Sequence, residues 1–196
     1  MGEPTSAWDQ LSSDTAQVLF CDLQVDIVKQ SKTTNPQALA SAAGALFQLA
    51  KLFSLPTLIS VVPEGSNPPQ LIAELTDTAG FAPAMPRATA SLFGDAAITE
   101  TIARNGRKIL IVAGFMIEAV VLDTVLDALG HGYEVLVPVD ACGSPSPRAE
   151  AAVLRQMEAA GATTTSVVSI GTKLSPNFST ERGKQMFAIV QGIKVD

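Results

Sequence analysis

Sulfur, histidine and large aromatic rings are scarce in this sequence. Its 196 residues include two cysteines, one histidine, one tryptophan and one tyrosine. Cys21 and Cys142 are too few for a disulfide framework and share no Cys-x-x-Cys spacing, which fits a reducing compartment. A lone His131, in a turn between helix and strand, cannot supply the ligand sets that hold transition metals, so no metal and no cofactor is expected. Positive charge is also short: 13 Lys and Arg face 19 Asp and Glu, for a formal net charge of -6. With no basic cluster to displace counterions, a nucleic-acid partner is not expected. No apolar stretch reaches the ~18 uninterrupted residues of a membrane span. Residues 1–14 are polar and acidic with no basic start, so they read as a loose N-terminal segment, and the expected location is cytoplasmic.

The apolar fraction, by contrast, is large. Hydrophobic residues make up 47% and aromatics only 5%, so the core must be built from Ala, Val, Ile and Leu, the filling of a parallel sheet covered on both faces. The length fits one domain over 1–196. Residues 16–21 form an apolar run closing on Asp22, a buried strand that presents a carboxylate at its end. Residues 37–53 place Leu39, Ala42, Ala43, Leu46, Leu49, Ala50 and Phe53 at helical spacing behind Pro36. A β-branched strand follows over 57–62, then a loop rich in Gly, Pro and Asn to Pro69. Residues 81–93 read as irregular and carry Arg87, and a helix over 95–105 follows. The Ile/Leu/Val run at 108–113 predicts a strand that breaks at Gly114 and turns into a helix over 117–129. A strand at 134–139, a helix at 148–160, a strand at 163–168 and a helix at 180–191 complete the alternation. The expected fold is therefore α/β, a three-layer, doubly wound, mainly parallel sheet with helices on both faces. Its ligand crevice lies beyond the carboxyl ends of the strands, where Asp22, the Gly114 turn and the Asp140 loop should meet.

Three segments resemble the isochorismatase-like cysteine hydrolases, a family of isochorismatases, nicotinamidases and small amidohydrolases. They are Val18-Leu19-Phe20-Cys21-Asp22-Leu23-Gln24, the stretch from Lys108 through Asp140, and the closing Asp140-Ala141-Cys142-Gly143-Ser144. The resemblance implies that Asp22 is the family's catalytic aspartate and that Arg87, in Met85-Pro86-Arg87, stands where the family has lysine. It sets the nucleophilic cysteine six residues after Gly114, at Val120. It also implies an oxyanion-binding turn at Met116, Ile117 and Glu118, with a non-proline cis peptide at Met116-Ile117. Family members commonly form homodimers or larger homo-oligomers.

Valine has no thiolate to be activated at a helix N-terminus, so cysteine-dependent amide hydrolysis is not expected. Cys21 would face away from a crevice-facing Asp22 by strand alternation, and Cys142 reads as structural. Two further readings stand beside a hydrolase-family protein of unknown substrate. Asp22 could protonate a vinyl ether of the isochorismate type. Alternatively, the chain is a pseudoenzyme, a catalytically silent protein for small-molecule binding or assembly. The substrate would be shaped by the loops at 64–69 and 81–87.

Overall fold

The computed structural model describes residues 6–63, 68–76, 82 and 84–195. Among the described residues seven strands form one sheet: β1 (Ala16–Cys21), β2 (Thr57–Val61), β3 (Ala84–Pro86), β4 (Ile109–Phe115), β5 (Glu134–Pro138), β6 (Cys142–Gly143) and β7 (Thr163–Thr165). The order is β3-β2-β1-β4-β5-β7, with β6 paired to β4, and every pairing is parallel. This is the α/β architecture expected from the alternating pattern. Every residue of β1, β2 and β4 is buried, as central parallel strands with both faces covered must be.

The helices are α1 (Ala7–Gln10), α2 (Val25–Val28), α3 (Pro36–Phe53), α4 (Ala96–Arg104), α5 (Leu122–Gly130), α6 (Pro147–Ala160), α7 (Val167–Leu174) and α8 (Glu181–Gln191). On one face α3 packs with α7 and α8, and on the other α5 packs with α6. Helix α3 starts where the sequence signals it. Asn35 accepts the Gln37 N–H, Pro36 occupies the first turn, and Leu39, Leu46, Leu49 and Phe53 sit in the core.

Several expectations need correction. Residues 6–11 are not loose: Ser6 and Asp9 make a capping box for α1, and Ala7 and Leu11 are buried. Residues 1–5 lie outside the described residues, as do 64–67, 77–81, 83 and 196, which include most of the proposed substrate loop at 64–69 and two residues of the one at 81–87. The segment carrying Arg87 contains the short edge strand β3, paired with β2. Proline is tolerated there because an edge strand has one side without ladder partners. Strand β4 does not break at Gly114 but runs through it to Phe115. The β-branched run expected as one strand over 163–168 divides after Thr165: Ser166 accepts the Ser169 N–H and caps α7, a helix the pattern did not indicate.

Candidate functional site

Chain order runs outward from β1 to β2 and β3, then returns to β4 on the other side of β1. The switch point of the sheet therefore lies between β1 and β4. Their close approach depends on Gly114. At φ 150° it pairs with Cys21, and a Cβ on it would stand 2.2 Å from the Cys21 carbonyl oxygen. Only glycine fits there. On its other side Gly114 pairs with Cys142 of β6, so residues 21, 114 and 142 lie abreast at the carboxyl edge.

Asp22 leaves β1 in the left-handed region at φ 52°, a conformation Asp tolerates better than most residues, and is 3% exposed. Its Oδ1 accepts from Ser60 Oγ at 2.8 Å and from Arg87 Nε at 3.2 Å, while Oδ2 accepts from the Arg87 guanidinium terminus. The result is a two-point, buried ion pair, with side-chain exposures of 9% for Arg87 and 4% for Asp22. The remaining guanidinium nitrogen donates to the Thr89 and Ala90 carbonyls, so Arg87 also pins the loop that follows β3. Gln24, buried two residues on, clasps Val62 by both backbone groups: it donates to the carbonyl at 3.0 Å and accepts from the N–H at 2.7 Å. That clasp ties the Asp22 turn to the end of β2.

Ser60 and the clasping role of Gln24 were not singled out from the sequence. The signal for Ser60 was a hydroxyl inside the otherwise apolar run Leu58-Ile59-Ser60-Val61, since a buried polar group needs a partner. The alternation argument for Cys21 stops at Asp22, whose positive φ ends the strand geometry.

After β4 the chain forms a π-helical turn, Ile117–Val121, before α5. Turns of this kind recur at functional sites. The non-proline cis peptide is Phe115–Met116, one residue earlier than the resemblance implied. Val120 is 2% exposed and belongs to the core cluster, and Ile117 is fully buried. Met116 is partly buried against the same core. Glu118 Oε1 accepts from Ser144 Oγ at 2.8 Å, whereas its Oε2 is buried without a hydrogen-bond partner. The Ser144 N–H donates to Thr33 Oγ1, which donates to Glu150 Oε1, so a hydrogen-bond chain runs from the turn to the start of α6.

Both thiols are fully buried and reduced. Burial pushes Cys142 up to about 12. Cys21 is also pushed well above the ordinary thiol value, by burial first and then by the Asp22 charge. Asp140, at the end of β5, does not reach Asp22. Its oxygens accept the Val167 N–H at 3.0 and 3.1 Å, and burial raises its carboxyl above the ordinary value. His131 is exposed, bonds the Asp127 carbonyl at 2.8 Å and stacks on Phe93. Among the described residues no group of three or more His, Cys, Asp or Glu is placed to hold a metal, and no helix is long and apolar enough to cross a membrane.

The fold has counterparts among known proteins. Residues 16–169 match the Isochorismatase domain. The chain belongs to the isochorismatase family. YcaC from Pseudomonas aeruginosa, in a structure with hexane-2,5-diol and covalent acrylamide, superimposes with a TM-score of 0.87 at 29% identity, over 93% of this chain and 91% of that one. The Escherichia coli YcaC structure, described as an octameric hydrolase of unknown specificity, gives a TM-score of 0.86 at 25% identity, over 93% and 90%. Isochorismatase domain-containing protein 2A of Mus musculus is 27% identical over 194 residues, covering 97% of this chain and 90% of its own. The chain is thus a hydrolase-like member of the isochorismatase family.

Proposed function

We propose that this family member carries out no thiol-dependent hydrolysis and that it retains the fold for binding a small molecule within a homo-oligomer. The observation that carries the reading is the state of the sulfur. Cys21 and Cys142 are the only two thiols in the sequence, and both are buried with their ionisation pushed up. A thiol held protonated at neutral pH is a poor nucleophile. The position that the resemblance gives to the nucleophile holds Val120, whose side chain packs in the core.

The acid-driven alternative, Asp22 protonating a vinyl ether, finds no support in the geometry. Both Asp22 oxygens already accept hydrogen bonds, and a proton there would set an O–H against the guanidinium. The octameric E. coli relative supports homo-oligomeric assembly. The acidic charge balance argues against a nucleic-acid partner, and two reduced cysteines suit a cytoplasmic setting.

The test uses the folded protein and acrylamide, because a relative carries that reagent covalently. Intact-mass measurement should show no adduct under native conditions and two after denaturation. In parallel, a panel of small amides and isochorismate should give no turnover. A native adduct on Cys21 or Cys142, or a hydrolysis that disappears in Asp22→Asn, would overturn the proposal.

A further inference from the structure

The carboxyl edge of the sheet holds a second concavity that neither Asp22, Arg87 nor Val120 lines. It has a volume of about 410 Å³, with an apolar wall formed by Ala42 of α3, Val139, Leu154 of α6, Val190 of α8 and Ile193 just beyond that helix. Val168 and Val195 also line it and are 42% and 86% exposed, so the cavity opens to solvent past them. This size and apolar lining suit a small organic ligand.

Its polar groups have one dominant sign. Asp140 and Glu150 both line the cavity, and among the described residues neither forms a salt bridge. Lys194 lies on the same lining and forms no ion pair with either. The single Val167 N–H spans both Asp140 oxygens, and Glu150 accepts from Thr33 through Oε1. A carboxylate accepts at about four lone-pair sites, so acceptor capacity remains on both groups. Burial already penalises the Asp140 charge, and a cation beside it would relieve that penalty. An anion or a neutral alcohol would offer no such relief.

We propose that this cavity binds a small amphiphilic ammonium compound, with its apolar body against the Leu154 and Val190 wall and its charged head between Asp140 and Glu150. The site is separate from the Asp22 corner, so it stands whether or not that corner supports hydrolysis.

Calorimetric titration of the full chain with n-hexylammonium, hexanol and hexanoate tests this. Hexylammonium should bind saturably at one site per chain, hexanol at least about tenfold more weakly, and hexanoate not measurably. Asp140→Asn keeps an acceptor for Val167 and Glu150→Gln keeps one for Thr33, and each should weaken hexylammonium by about tenfold. Leu154→Trp, which fills the cavity, should abolish binding in protein whose circular dichroism is unchanged. If that variant does not fold, the two carboxamide variants carry the test. The proposal is overturned by no saturable hexylammonium binding below about 10 mM, by equal binding of hexanol, or by undiminished binding in both carboxamide variants.

Discussion

The turns that leave the adjacent strands β1 and β4 sit at the same edge of the sheet, yet they are built from opposite materials. After β1 the chain buries a carboxylate, a guanidinium and a hydroxyl that satisfy one another. After β4 it buries Ile117, Val120 and Val121, which need no partner, and Glu118 alone reaches a polar group, Ser144. A buried charge survives only while its counter-charge survives, so the first turn is a coupled unit. The second is held by volume, and one apolar side chain can replace another there at small cost. At this edge the first turn is thus fixed by charge and the second mainly by packing.

The comparison breaks most severely when the ion pair is cut. Arg87→Ala would leave Asp22 buried and unpaired, at a cost of roughly 3–5 kcal/mol measured by urea unfolding. Adding Asp22→Asn should recover part of that loss, because the orphaned charge goes with it. A cost below about 1 kcal/mol would mean that the pair behaves as a screened surface contact. Ser60→Ala comes next, removing one hydrogen bond to an ionised group, at about 1.5–3 kcal/mol.

The apolar turn should respond differently. Val120→Cys changes shape little, so its stability cost should stay under about 1.5 kcal/mol. The new thiol, standing in the turn that leads into α5, should be alkylated by acrylamide faster than Cys21 or Cys142. Alkylation no faster than theirs would mean that position 120 faces the core alone, and the analogy with a nucleophile position would fall.

Much of the contrast was legible before any coordinates. Residues 16–21 read as a strand because all but Gln17 are apolar, and α3 was marked by its spacing behind Pro36. What stayed hidden depends on contacts between distant residues. The pairing of Arg87 with Asp22 joins residues 65 positions apart. Ser60 joins them only because β2 lies beside β1. Strand β3 is three residues long and ends in proline, leaving no period to detect. The run Thr163-Thr164-Thr165-Ser166-Val167-Val168 has strand propensity throughout, and the cap formed by Ser166 overrides it.

The smallest expected effect lies just past the end of β5, at Asp140. Burial is the leading cause of its shift and raises its carboxyl above 3.8, partly opposed by the Val167 N–H. The folded state therefore binds the proton more tightly than the unfolded chain does. The stability this contributes is fully present below 3.8 and is lost as pH rises through the folded value, so at neutral pH the charge is a net penalty. Asp140→Asn removes that penalty while its side-chain oxygen still accepts the Val167 N–H. The variant should unfold at a higher urea concentration than the parent at about pH 7 and at the same concentration near pH 3. A loss of stability at neutral pH would instead make the ionised carboxylate a necessary cap for α7, and the β5 end would then join the Asp22 corner as a place where charge is held by its partners.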